Sequence, residues 1–89
     1  HQVGWGKYQK ASVIAFGDYD EIEELGYFVV IITKTSLLNR GDELVVTDIN
    51  GRKHIKKITP NKKVYLIKNV NEIEDYEIHD RNNKVISLY

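Results

Sequence analysis

Turn-forming residues interrupt this chain so often that short strands fit between them better than long helices. The strongest of these signals is Asn50-Gly51. Asn and Gly tolerate the positive φ angles of a type I′ turn, and an Asn-Gly pair between two apolar runs is the best short-range mark of a β-hairpin. The run Leu44-Val45-Val46 precedes it and residues 53–58 follow, so residues 43–48 and 53–58 are expected to pair antiparallel. Further turn signals at Asn39-Arg40-Gly41-Asp42, Pro60-Asn61 and Asn82-Asn83 give a rhythm of about ten residues per element.

The segments between the turns read as strands. Residues 11–16 form a short apolar run closed by Gly17-Asp18, as a buried strand would be. Residues 27–35 are rich in aromatic and β-branched side chains, and both alternating faces are apolar through Ile32. This is the pattern of a central strand covered on both sides. Residues 63–68, the alternating Tyr76-Glu77-Ile78-His79 and residues 85–89 supply the rest. Ile55 and Ile58 are three apart, so strict alternation puts them on opposite faces, and a bulge near Lys56-Lys57 is expected to realign them. Between the first two strands, Asp20 can cap a helical turn or two that ends at Gly26.

About six or seven short strands with one short helix predict an all-β fold. A small antiparallel barrel of SH3-like or OB-like type is the first expectation and a short β-sandwich the alternative. At 89 residues the chain makes a single domain over 1–89, and 42% hydrophobic residues suffice for a modest core.

No cysteine is present, which removes disulfides, thiolate metal ligands and thiol chemistry together. The longest apolar run, residues 27–32, is far short of the roughly 18 to 20 residues of a membrane span, so the chain reads as soluble. Cysteine-free composition suits the cytoplasm. Abundant Asn, Lys, Ile and Tyr suit an AT-rich genome of bacterial or phage type.

Catalytic combinations are missing even where the residue types occur. The histidines at positions 1, 54 and 79 show no metal-ligand spacing, and His79-Asp80 is the nearest approach to one. Ser12, Ser36, Ser87, Lys56 and Lys57 lie in no nucleophile motif. Arg40-Gly41-Asp42 spells an adhesion tripeptide, but a turn favours Gly-Asp for backbone reasons alone. The stretch Gly41-Asp42-Glu43-Leu44-Val45-Val46 followed by Gly51 and Ile55-Lys56-Lys57 resembles hairpins of sortases and of Ser/Lys self-cleaving repressor peptidases. The resemblance covers about a quarter of the chain and implies a shared β-turn-β unit rather than a shared reaction. No enzymatic activity, metal or cofactor is expected.

Binding is what remains. Net charge is zero, yet the charges are segregated. Acids cluster over residues 18–24 and 72–80, whereas residues 49–71 contain none. Arg52, Lys53, Lys56, Lys57, Lys62 and Lys63, with Tyr65 beside them, form a candidate nucleic-acid surface that combines phosphate contacts with base stacking. The alternative is a protein-interaction, self-associating or inhibitory module that uses Trp5, Tyr8, Tyr19 and Tyr89 as aromatic anchors.

Overall fold

The computed structural model describes residues 2–3, 8–19 and 26–88. Strand accounts for 55% of the described residues and helix for 8%, which bears out the β-rich class. The elements are β1 (Gln2–Val3), β2 (Val13–Tyr19), β3 (Gly26–Ile32), α1 (Thr35–Arg40), β4 (Glu43–Asp48), β5 (Lys53–Lys57), β6 (Val64–Val70), β7 (Ile73–His79) and β8 (Val85–Ile86). They form two four-stranded antiparallel sheets, ordered β1-β2-β3-β6 and β5-β4-β7-β8. Among the described residues the hydrogen-bonded order does not close on itself. The helical turns expected over residues 20–25 lie outside the described residues.

The core forms where the inner faces of the two sheets meet. Phe28, Val30 and Ile32 of β3 project inward with Val13 and Ala15 of β2 and Tyr65, Ile67 and Val70 of β6. The second sheet contributes Leu44, Val46, Ile73, Tyr76 and Ile78. The ring of Phe28 takes Tyr8 edge-on at 4.9 Å and Tyr76 at a tilt at 5.8 Å, tying the sheets through one aromatic cluster. Both tyrosine hydroxyls find buried acceptors: Tyr8 donates to the Ile73 carbonyl and Tyr76 to the Tyr8 carbonyl.

Several expectations are corrected. Gly17 and Asp18 do not end the first strand, because β2 is paired on both sides and runs on opposite Phe28 and Tyr27. β3 is central, but only its inner face is fully buried. Val29 and Ile31 are half-buried and Tyr27 is exposed, since no layer among the described residues packs over that side. The β4–β5 ladder has no bulge. Val45 pairs with Ile55, alternation holds, and Ile55 is left 57% exposed while Ile58 is buried. The register shifts fall instead at Gly26/Tyr27, opposite the left-handed Asn69, and at Thr47/Asp48.

Asn50-Gly51 does mark the hairpin tip, with a different turn. Gly51 alone is left-handed, at φ +81°, and its N–H donates to the Asp48 carbonyl at 3.0 Å. A β-turn centred on Ile49 and Asn50 followed by a left-handed glycine is the three-residue hairpin loop with a G1 bulge.

Residues 35–40 form a helix where a strand end and a turn were expected. Leu37 and Leu38 are buried beneath the rest of α1, so tertiary packing outweighs the absence of any side-chain cap at Lys34. The helix stops at Gly41, whose N–H donates to the Leu37 carbonyl at 2.8 Å. Gly41 has an ordinary φ of −74°; the site needs the absence of a side chain. A Cβ there would lie 2.8 Å from the Leu37 carbonyl oxygen, 2.9 Å from Ile78 Cγ2 and 3.1 Å from Ile58 Cδ1. Gly41→Ala is therefore expected to destabilise the fold by about 1 to 3 kcal/mol, read as a lower urea midpoint at unchanged slope.

Candidate functional site

The basic segment folds into the edge strand β5 and the connection to β6, which is the edge strand of the other sheet. Hydrogen-bond phase decides which backbone groups face outward. The Asp48 N–H donates to the Arg52 carbonyl and the Ile58 N–H to the Asp42 carbonyl, both at 2.9 Å. Bonded and non-bonded residues alternate in an antiparallel ladder, so Arg52, His54, Lys56 and Ile58 turn their backbone groups toward β4. Those of Lys53, Ile55 and Lys57 point to the open edge. On β6 the Ile32 N–H donates to the Lys63 carbonyl at 2.9 Å, which fixes Lys63, Tyr65 and Ile67 as the residues bonded to β3. Val64, Leu66 and Lys68 present their N–H and C=O groups to the second open edge. Among the described residues no strand pairs with either edge.

Between these edges lies an open groove of about 440 Å³, lined by His54, Ile55 and Lys56 of β5 and by Leu66, Ile67 and Lys68 of β6. No carboxylate lines it. The rim toward the first sheet is apolar: Val64 is 49% and Leu66 39% exposed, and they continue across the sheet into Ile31 and Ile14, and into Val29 and Phe16. This row ends at Asp18, Tyr27 and Lys68, where the Tyr27 hydroxyl donates to Asp18 Oδ2 at 2.9 Å. The hydrogen bond to Asp18, with burial and the Asp18 charge, raises the Tyr27 hydroxyl above its ordinary value.

The predicted nucleic-acid residues separate into three groups. Lys53, Lys56, Lys62 and Lys63, with Arg52, are exposed and pair with no carboxylate among the described residues. Lys57 is committed to Asp42 at 2.7 Å. Tyr65 is in the core at 1% exposure, held by its hydroxyl, which donates to the Lys62 carbonyl at 2.7 Å and accepts from the Thr59 N–H at 3.1 Å. Its ring offers no stacking face to a base. The acidic segment also folds beside the basic one: Lys53, Thr47 and Asp75 share a row across β5, β4 and β7, and so do Lys57, Glu43 and His79. The positive field of β5 is partly answered two strands away, about 10 Å.

Of the proposed aromatic anchors, Tyr8 is buried and serves the core. Trp5, Tyr89 and the side chain of Tyr19 lie outside the described residues.

His1 lies outside the described residues; the other two histidines each face one carboxylate. His54 Nε2 lies 3.3 Å from Asp48 Oδ2, and His79 Nε2 lies 2.9 Å from Glu77 Oε2 rather than beside Asp80. Among the described residues no three His, Asp or Glu side chains gather as a metal-binding group. No described helix is long and apolar enough to cross a membrane.

The two remaining acids of note organise turns, and the sequence reading missed the pattern. Asp48 Oδ1 accepts from the Asn50 and Arg52 N–H groups, both at 2.9 Å; Asp80 Oδ1 accepts from the Asn82 and Lys84 N–H groups at 2.8 and 3.0 Å. Asp48-Ile49-Asn50-Gly51-Arg52 and Asp80-Arg81-Asn82-Asn83-Lys84 are one device used twice, with Gly51 and Asn83 both left-handed. The recurrence of Asp, any residue, Asn, Gly or Asn, then a basic residue was the signal available. Comparison with protein families, with curated proteins and with solved structures finds no match for the chain.

Proposed function

We propose that this chain is a non-enzymatic protein-interaction module that receives its partner where β5 and β6 leave their edges open. The observation that carries this reading is the combination of two unpaired strand edges with Ile55, Val64 and Leu66 exposed along them. Exposed apolar strand edges are costly to leave uncovered, and pairing with another chain is the usual way they are used. On this reading the two sheets are a small barrel of SH3-like or OB-like kind opened between β5 and β6.

A second reading, nucleic-acid binding, is favoured by the exposed Arg52, Lys53, Lys56, Lys62 and Lys63. The burial of Tyr65 removes its stacking contribution and leaves only phosphate contacts. If four of these cations each meet a phosphate, log K should fall with log salt at a slope of about 3 to 4.

One experiment separates the two. Tagged protein and an Ile55→Asp/Leu66→Asp variant are used to capture partners from host lysate, with and without nuclease. The protein reading expects a captured protein that survives nuclease and is lost with the variant. Nuclease-sensitive capture that the variant retains assigns the surface to nucleic acid.

A further inference from the structure

Resting on the interaction reading above, we infer that the partner is an acidic, extended polypeptide segment that adds as a new strand along β6. Three features of the edge point to this. The outward N–H and C=O groups of Val64, Leu66 and Lys68 form an unpaired backbone row, and an extended segment satisfies such a row group by group. Successive residues of the added strand would alternate between two environments. One set continues the apolar surface of Val64 and Leu66, and the other faces the groove wall of Ile67, His54 and Lys56.

Charge selects the occupant. Lys56 and Lys68 line the groove, Lys62 and Lys63 stand at the start of β6, and no acid intervenes. A second copy of β6 laid antiparallel with Leu66 opposite Leu66 would bring Lys62 of each copy diagonal to Lys68 of the other, and a shift of two residues would set those lysines directly opposite, so like charges discourage self-pairing. A segment alternating apolar residues with Glu or Asp meets the same edge with opposite charge. The lysines thus reject copies of this chain and admit an acidic strand, which is specificity by repulsion as well as attraction.

The test uses fluorescein-labelled, terminally blocked peptides and fluorescence anisotropy on the full chain. Glu-Val-Glu-Val-Glu-Val-Glu is expected to bind, and Lys-Val-Lys-Val-Lys-Val-Lys to bind at least roughly tenfold more weakly. Of two acidic peptides N-methylated on alternate residues, one on Val and one on Glu, at least one is expected to lose roughly tenfold or more, because a strand pairs through one row of N–H groups. Leu66→Pro removes an outward N–H that takes no part in the β3 ladder and should abolish peptide binding. Should that variant fold poorly, Lys56→Glu/Lys68→Glu keeps the question open to measurement, since it should reverse the preference between the two peptides. Equal binding by both N-methylated peptides and the parent, or equal binding by oligo(dT), would overturn strand addition in favour of simple polyanion attraction. No peptide binding while Leu66-dependent protein capture persists would overturn the acidic-strand chemistry and leave the interaction reading standing.

Discussion

A Val30→Asp variant should show no cooperative melting transition and the circular dichroism of an unfolded chain at 25 °C. Val30 lies at the centre of β3, paired with Ala15 on one side and Tyr65 on the other, and has no exposed surface. A carboxylate there would have no donor within its reach on the inner face, where the neighbours are apolar side chains and committed tyrosine hydroxyls. Burying it costs several kcal/mol whether it is charged or takes up a proton. Domains typically have about 5 to 15 kcal/mol in total, and a chain this short belongs toward the low end. Val30→Ala at the same position should keep the transition and lose about 2 to 3 kcal/mol. Val29→Asp, one residue away on the half-buried outer face, should also still fold. Cooperative unfolding of Val30→Asp with collapse of Val29→Asp would mean that the faces of β3 are reversed.

That contrast marks what could be read from the residues alone. The β class, the central place of β3, the β4–β5 pairing and the tip at Gly51 follow from turn chemistry and β-branched composition, which act locally. What failed depended on the other layer. Nothing in the run Tyr27-Phe28-Val29-Val30-Ile31-Ile32 tells which face meets a second sheet, and the outer face proves to be partly open. The bulge expected at Lys56-Lys57 presumed that Ile55 belongs in the core; the ladder keeps alternation and leaves Ile55 at the edge. α1 was illegible because two adjacent leucines carry it and no cap announces it. At the candidate site Arg52, Lys53, Lys56, Lys62 and Lys63 are exposed, but Lys57 pairs with Asp42 and the ring of Tyr65 faces inward with Ile67. Neither the open edges nor the groove has a one-dimensional signature, because both arise from strands that end different sheets.

Asp48 is where the second large loss is expected. Its carboxylate is nearly inaccessible, at 1% exposure, and holds the Asn50 and Arg52 N–H groups with one oxygen while the other faces His54. Burial by itself pushes this carboxyl upward, but the Arg52 N–H, His54 and the Asn50 N–H together overcome it, and the net shift is below the ordinary value. Asp80 is lowered chiefly by the Lys84 N–H, against some burial, with help from the Asn82 N–H and the charges of Lys84 and Arg40. A carboxyl whose value is lower folded than unfolded stabilises the fold fully above its unfolded value. That contribution is lost as pH falls through the folded value. The melting temperature should therefore vary little in this respect from pH 7 down to about 5, then drop below about pH 4. Asp48→Ala at neutral pH strands two N–H donors of the β4–β5 turn and should lower the melting temperature by roughly 10 °C. Asp80→Ala should cost less, because Asp80 and its two hydrogen bonds are more exposed than those of Asp48 and water can replace the lost acceptor. Asp48→Asn separates charge from shape. Its deficit against the unsubstituted chain should be largest near neutral pH and narrow as acid protonates Asp48. A gap that stays constant from pH 7 to pH 3 would show that the turn depends on the shape of the side chain and not on its charge.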